Sequence, residues 1–536
     1  MKPWAGEAKH DPSFLPAKSI YNSAIFQFTF RYGTLMKNCL RYWPFAIPIL
    51  YFIVICALQP AGRLIPPMGN VPEYPLRGGF ARVVFDDVDI AAWVLRAENA
   101  ERGRKAGLKE EPGMYYPRSF ALRLYQNPKL EERYFLEYPP AALYFFRLGL
   151  IGSGRPSNDQ PISAAILDAN QFNLAHFDPK NPTTRDTITP DFDSLPDITV
   201  VDAKGNAVDT ALPIPPEAIK IHEQLWRSWR AAQRVYSFIL LAVLLGLMLL
   251  YVRGVGANGI ATGPAWLCIL PGMLYFTPCR FDILPAAFSV FAIAFAARNR
   301  LILSALTLAL AVAFKTYPLV LAPLLLRYSA RSWKDPFVWC VAFALPLLAF
   351  NIQLMASDGI EAIVEPLKFQ LGRAVEPWWI FFGRVFPGFL DSDHIAARLF
   401  RVGVVLGTVL CMCIFRPQNV TSLLRRCAIA VMVFISFQTF YSPQWWLWVA
   451  VLLIPLVRTN RWILPIYVVL DLITHAAYPW IFDFAMTKIV SNEIVNSLSN
   501  AFVFMRAGGW FIIIVIFTRD EFREARERAT AVDIKP

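Results

Sequence analysis

Three carboxylates lie close together in the segment Phe85–Ile90, which contains Asp86, Asp87 and Asp89 and follows the first long apolar run. Carboxylates this close repel one another, so the cluster is costly unless a cation or a reacting group meets it. A carboxylate in such a place can take the proton of a hydroxyl group as a general base. Spacing alone fits a solvated acidic loop as well, so both interpretations stay open.

Polar and aromatic residues also interrupt three later apolar stretches. These segments are Tyr138–Pro140, Phe314–Pro318 and Gln438–Gln444, and the last leads into Trp445 and Trp446. Each has a structural explanation, because Pro starts helices, aromatic residues line membrane interfaces and Lys snorkels toward head groups. Together they also fit one interfacial cavity, in which a lysine meets a lipid phosphate and a carboxylate meets an acceptor hydroxyl.

The amino-acid composition indicates that apolar, membrane-spanning segments must position these residues. Of the 536 residues, 56% are hydrophobic and 17% are charged, and the mean hydropathy is +0.41. Apolar segments of about 20 residues recur, which is typical of a polytopic membrane protein. The net charge of +12 is spread over short loops rather than gathered on one face, which disfavours nucleic acid as a partner.

About twelve apolar segments are predicted to span the membrane. They lie near residues 42–60, 233–252, 262–278, 282–297, 299–314, 317–328, 336–353, 399–415, 424–440, 443–457, 461–478 and 503–518. Lys and Arg concentrate in the N-terminal segment and in alternate loops, and such loops face the cytoplasm. We therefore predict both termini in the cytoplasm and the acidic cluster, Lys315 and Gln444 together on the opposite face.

This topology divides the chain into five regions: a cytoplasmic amphipathic N-terminus (1–41), the first span (42–60), a large external region (61–232), a transmembrane bundle (233–518) and a cytoplasmic tail (519–536). The external region holds the acidic motif (85–93), a helix half-inserted from the outer face (138–152) and an insertion (153–229). An alternating run ending in Gly205-Asn206 predicts a small β-hairpin in that insertion. The predicted fold class is an all-α polytopic membrane bundle with one small β-containing insertion.

Several segments resemble one enzyme family in their order and position. Asp87–Ala97 resembles the acidic Asp-x-Asp motif of the catalytic subunit of GPI mannosyltransferase I. Ala311–Leu326 resembles the Phe-Lys-x-Tyr-Pro segment of that family, and Gln438–Trp448 is similar to its Ser-x-Gln-aromatic segment. The Tyr-Pro-Pro helix, Asp282 at the start of a span and the Lys-x-x-Pro element also resemble bacterial polyprenol-phosphate-mannose-dependent mannosyltransferases. The insertion 153–229 and the C-terminal spans have no counterpart in this resemblance.

The resemblance implies the C-type glycosyltransferase fold (GT-C), and an enzyme that moves a sugar, mannose, from a polyprenyl-phosphate donor to a lipid or glycan acceptor with inversion. It implies a catalytic base at Asp87 or Asp89. Lys315, joined by Arg280 or Arg373, would stabilise the departing phosphate. The other residues predicted to bind substrate are Asp86, Tyr138, Asp282, Tyr317, Tyr441 and Gln444.

Some alternatives stay open. No cofactor is predicted, because two monodentate carboxylates make an incomplete divalent-cation site, but a cation at Asp87 and Asp89 remains an alternative. Asp471 and His475 lie four residues apart in one predicted span and are either functional or a structural pair. The alternative function is a transporter or flippase of polyprenyl-linked glycans. A small membrane subunit is a further candidate partner, besides the surrounding membrane lipids. The predicted location is a bacterial plasma membrane, with the site on its external face.

Overall fold

The computed structural model describes residues 42–58, 139–153, 200–201, 207–208, 216–358, 360, 395–438, 441–481 and 491–533. Within these residues the protein is almost entirely helical. Five residues of the predicted site lie outside them, namely Asp86, Asp87, Asp89, Tyr138 and Arg373.

The described residues form thirteen α-helices. They are α1 (Ala46–Leu58), α2 (Pro140–Ser153), α3 (Pro216–Arg253), α4 (Pro271–Cys279), α5 (Ile283–Ala297), α6 (Leu301–Phe314), α7 (Ala322–Ser329), α8 (Asp335–Asp358), α9 (Ile395–Ile414), α10 (Val420–Ser436), α11 (Trp446–Leu453), α12 (Ile463–His475) and α13 (Asn492–Asp533). Short 3-10 helices include Ala265–Ile269, Tyr317–Leu321, Pro443–Trp445 and Ile454–Leu456, and Ala476–Ile481 forms a π-helical turn. Val200–Val201 (β1) pairs antiparallel with Ala207–Val208 (β2), in the segment where a hairpin is predicted.

Several of these helices could cross a membrane. Three stretches of the described chain are long and apolar enough, namely Arg234–Arg253, Asp335–Ile352 and Ser497–Glu527, and α4 with α5 makes a fourth if that bent pair is one span. Shorter apolar helices lie at Trp43–Cys56, Leu301–Phe314, Leu399–Ile414, Pro443–Leu456 and Ile463–Tyr478. This architecture is compatible with a membrane protein, and the number of twelve spans stays a prediction.

The predicted span near 262–278 differs from what the structure contains. A 3-10 helix (Ala265–Ile269) and α4 occupy that stretch, and α4 meets α5 at an angle of 110°. A nine-residue helix is about 13 Å long, less than half of the hydrocarbon core of a bilayer. The sequence explains the break, because Pro264 and Pro271 cannot continue a preceding helix. The polar residues Arg280 and Asp282 lie at the resulting bend.

The centre of the bundle is α11. All of its residues are buried, and it packs against α4, α5, α10 and α12. Tyr251 of α3 donates a hydrogen bond of 2.7 Å to the carbonyl oxygen of Val451. Since α11 has no polar side chain except the indole N–H groups, its position is set by apolar packing and by what those N–H groups contact.

Asp471 on α12 caps α4 across the bundle. Its Oδ2 accepts from the backbone N–H of Gly272 (2.8 Å), and its Oδ1 accepts from Met273 N–H (2.9 Å) and from Trp446 Nε1 (2.8 Å). The first N–H groups of a helix lack partners within the helix, so a carboxylate from elsewhere can satisfy them. These contacts support the structural interpretation of Asp471, with α4 rather than His475 as the partner of both carboxylate oxygens.

Charged residues join α10 to the last helix. Glu521 of α13 accepts from Ser422 Oγ (2.7 Å) and from Arg426 Nε (2.9 Å), and it lies 3.4 Å from Arg425. Arg425 also pairs with Glu524 at 2.6 Å. Because both arginines are buried and each has an acidic partner, this cluster fixes α13 against α10.

Candidate functional site

Two antiparallel helices of nearly equal length bring Asp282 and Lys315 together. α5 has 15 residues and α6 has 14, and only residues 298–300 connect them. Asn299 adopts a φ of 59° in this connection, a conformation that Asn tolerates better than most residues. The residue before α5 must therefore lie beside the residue after α6. Lys315 Nζ is 2.9 Å from Asp282 Oδ1, and the two side chains are 11% and 0% exposed.

Asp282 occupies the N-cap position of α5 but does not cap the helix with its side chain. Its Oδ1 instead accepts from Trp448 Nε1 of α11 at 2.8 Å, in addition to the Lys315 ammonium. Its Oδ2 is buried and has no hydrogen-bond partner among the described residues. A buried carboxylate oxygen without a donor is costly, so this atom marks a place where a donor group of a ligand or water is favourable.

Lys315 lies among aromatic rings. Its Nζ is 5.0 Å from the ring centre of Phe281 and 5.5 Å from that of Trp448, within the range of cation–π attraction. The ammonium group has three N–H donors, of which Asp282 Oδ1 accepts one. The sequence predicts Lys315 as a cation for a lipid phosphate, and the structure adds a carboxylate that fixes where this cation lies.

A row of stacked aromatic rings extends from Lys315, and we call these five residues the aromatic wall: Tyr317, Trp448, Trp445, Tyr441 and Trp510. Tyr317 lies parallel to Trp448 with ring centres 3.9 Å apart, and Trp448 stacks on Trp445 at 4.8 Å. Tyr441 meets Trp445 edge-on at 5.9 Å and Trp510 at 5.8 Å. The wall joins residues from the α6–α7 connection, the segment that precedes α11, α11 itself and α13. All of these side chains except that of Tyr441 are buried, so the wall is a packed aromatic cluster beside Lys315.

Helix α2 packs against Phe281, the residue that precedes Asp282. Phe145 and Phe146 contact Phe281, with ring centres 6.3 and 5.6 Å apart, and Tyr236 of α3 donates a hydrogen bond to the carbonyl oxygen of Phe146. Both phenylalanines are buried. A helix is thus present where one is predicted at 138–152, and it packs against Phe281. Its half-inserted position in the membrane stays a prediction.

The other predicted site residues occupy different places. Arg280 is half-buried at the bend between α4 and α5. Gln444 is buried and its Oε1 accepts from Ser442 Oγ, so it orders the start of α11. Tyr441 belongs to the aromatic wall. The structure therefore joins Asp282, Lys315, Tyr317 and Tyr441 into one continuous cluster.

Sequence reasoning missed two groups that complete this cluster. Arg506 and Trp510 of α13 contact Tyr441, although the C-terminal spans matched no motif. The available signal was a lone Arg within the apolar run 503–518. The ring of His475 lies 5.5 Å from that of Tyr275, between ring centres. Among the described residues no group of three or more His, Cys, Asp or Glu could hold a metal ion, and Asp87 and Asp89 are not among those residues.

Comparisons with known proteins do not assign the chain to a family. No family model matches the chain, and no curated protein matches it.

Proposed function

We propose that this protein is a membrane glycosyltransferase that moves a sugar, mannose, from a polyprenyl-phosphate donor to a lipid or glycan acceptor. The observation that carries the proposal is the Lys315–Asp282 pair, which lies buried beside the aromatic wall. Segments chosen from the sequence supply all of these residues except Trp510. Convergence of a fixed cation, a carboxylate and stacked rings is what a phosphate-linked sugar requires of its binding site.

In the proposed reaction a carboxylate, Asp87 or Asp89, removes the proton of the acceptor hydroxyl. The hydroxyl oxygen forms a bond to the anomeric carbon, while the bond from that carbon to the phosphate oxygen breaks on the opposite face. The electron pair leaves with the lipid phosphate, whose negative charge increases. Lys315 stabilises that charge because it is already oriented and partly desolvated.

Asp282 acts as a positioning residue in this proposal. It holds the Lys315 ammonium at 2.9 Å and is itself held by Trp448 Nε1. A lysine side chain is long and flexible, so an unrestrained ammonium would lose rotamer entropy each time that a phosphate bound. The ion pair with Asp282 already restricts the Lys315 side chain, so less rotamer entropy is lost when a phosphate binds.

The proposed location is a bacterial plasma membrane, with the site on its external face. The external face is proposed from the distribution of Lys and Arg in the sequence and from its lack of a glycine-rich nucleotide cradle. The bacterial membrane is proposed because the predicted external segments contain no Asn-x-Ser/Thr triplet other than one with Pro in its middle position. A lipid-linked donor, unlike a nucleotide sugar, is present on that face of the membrane.

The test is transfer of radiolabelled mannose from polyprenyl-phosphate mannose to a lipid extract by the purified chain in proteoliposomes. We expect K315Q to lower the transfer rate by about 10²- to 10³-fold, as loss of one preorganised charge-stabilising group does in other enzymes. K334Q is the matched control, because the Lys334 ammonium is also 5.5 Å from an indole ring, that of the exposed Trp333.

Two results would contradict the proposal. Transfer by wild type that persists in both D87N and D89N removes the assigned base. Movement of the labelled lipid across the bilayer without any transfer identifies the protein as a flippase instead.

A further inference from the structure

Two arginines meet at the end of the bundle that is predicted to face the cytoplasm. Arg327 lies in the last turn of α7, and Arg416 follows the end of α9 by two residues. Arg416 donates a hydrogen bond of 2.8 Å to the backbone carbonyl oxygen of Tyr328, the residue next to Arg327. The charge of Arg327 in turn reaches the Cys413 thiol of α9. The two arginines therefore flank one place, where α7 packs against α9.

These two arginines lack the acidic partners that neighbouring arginines have. Arg425 and Arg426 lie 3.4 and 2.9 Å from the carboxylate oxygens of Glu521. Neither Arg327 nor Arg416 forms an ion pair with any described residue, and the Arg327 side chain donates no hydrogen bond within the same part of the chain. Two positive charges thus lie side by side without an anion from the described residues.

The setting of Arg416 favours an anion. Its side chain is half-buried, and a charged group that is partly removed from water is costly without an opposite charge. A guanidinium has five N–H donors, and the Tyr328 carbonyl accepts from only one of its nitrogens. The carboxylate of Asp335 is engaged elsewhere, because it accepts from the backbone N–H groups of Arg331 and Ser332 and from the Ser332 hydroxyl.

An exposed apolar strip leads away from Arg327 along the same side of the chain. Leu319, Pro323 and Arg327 are all exposed and are spaced by four residues, so they share one face of this segment. Phe415, which precedes Arg416, is exposed as well. In the predicted topology this face borders the acyl chains, and both arginines lie at the level of the head groups. A cation at the end of an apolar strip matches a phospholipid, in which a phosphate is joined to acyl chains.

We propose that Arg327 and Arg416 bind the phosphate group of one anionic phospholipid between α7 and α9. Arginine donors in one plane match the oxygens of a phosphate in a bidentate manner, and basic sites between membrane helices on the cytoplasmic side suit anionic head groups. The apolar strip favours a lipid over a free phosphate ion. This site is separate from Lys315, which lies at the other end of the segment that α7 completes, and it does not depend on the proposed sugar transfer.

The experiment titrates the full chain in detergent with phosphatidylglycerol or phosphatidylcholine of the same acyl chains and resolves the bound lipids by native mass spectrometry. In wild type we expect the first phosphatidylglycerol to bind about tenfold more tightly than phosphatidylcholine, because only the former carries a net charge. R327Q should weaken phosphatidylglycerol binding about tenfold, since hydrogen bonds from a charged donor are lost. R327Q should fold as wild type does, because the side chain makes no ion pair or hydrogen bond among the described residues.

R461Q is the matched control, because it removes the same charge from an exposed arginine on the same predicted face. Arg461 has its Cζ 5.2 Å from the ring centre of Trp462, which is also exposed. R461Q should bind phosphatidylglycerol as wild type does. Equal losses in R327Q and R461Q would overturn the proposal, since they would show a diffuse attraction to the net positive charge. Equal affinities of wild type for the two lipids would overturn it as well.

Two further arms keep the result interpretable. Should R327Q fail to elute as a monodisperse species, R416Q takes its place with the same expected loss of about tenfold, and wild-type affinity in R416Q contradicts the site. Inorganic phosphate in excess should leave phosphatidylglycerol bound. Displacement of the lipid by inorganic phosphate would refute the assignment to a phospholipid and identify a site for a free anion.

Discussion

Removal of either partner of the Lys315–Asp282 pair should destabilise the protein strongly. At 2.9 Å and an effective dielectric constant of about 20, two unit charges attract by about 6 kcal/mol. Desolvation of both groups offsets much of that attraction in the intact pair. A single substitution, however, leaves the other charge buried without its partner, which costs about 3 to 5 kcal/mol.

The measurement is a double-mutant cycle of K315Q and D282N, with unfolding free energies taken from SDS titrations of detergent-solubilised protein followed by circular dichroism. We expect each single variant to lose about 3 to 5 kcal/mol. The double variant should lose about 2 to 3 kcal/mol less than the sum of the two single losses, and this difference is the coupling energy. K334Q, in which the lost ammonium is next to an 84% exposed Trp333, should stay within about 0.5 kcal/mol of wild type. Losses in the single variants that add within about 0.5 kcal/mol would refute the reasoning, because they would show that the two charges do not stabilise each other.

Two further predictions concern the helix contacts that support the site. G272A should lose about 1 to 3 kcal/mol of unfolding free energy, because the new Cβ would lie 2.7 Å from the backbone oxygen of Asp471. G403A is the control, since a Cβ at this position has nothing within 4 Å. Equal stabilities of the two variants would contradict the close approach of Gly272 to Asp471. E521Q should lose about 2 kcal/mol of unfolding free energy, because it weakens the contacts of Glu521 with Arg425 and Arg426. E527Q should change stability by less than about 0.5 kcal/mol, since Glu527 is 68% exposed. Thermal melts of both variants in detergent test this, and coincident melts would contradict a stabilising role of Glu521.

Much of the Lys315–Asp282 contact could be predicted from the sequence. Asp282 precedes one apolar run and Lys315 follows the next, and only residues 298–300 separate the two helices. Two antiparallel helices of equal length must place these outer ends side by side. The sequence reasoning selected both residues as substrate-binding groups but did not draw the ion pair from this geometry.

Other parts of the site could not be reached in this way. The stacking of Tyr317 on Trp448 joins residues 131 positions apart (448 − 317), and nothing local to either motif specifies it. The break before α5 could not be predicted from hydrophobicity, because residues 262–278 form an apolar run long enough for a span. Three prolines, Pro264, Pro271 and Pro278, interrupt this run. Arg506 belongs to no recognisable motif, and its only signal in the sequence is the cost of a lone charge in an apolar segment.

The cap that Asp471 provides for α4 has a consequence for biosynthesis. Gly272 and the carboxylate that satisfies its N–H are 199 residues apart in the chain. At about 5 to 20 residues per second, translation separates them by about 10 to 40 s. During that interval the start of α4, and with it the bend that carries Asp282, must wait with its amides unsatisfied or held by water or another protein. The cap of α4 therefore forms only after α12 has been synthesised.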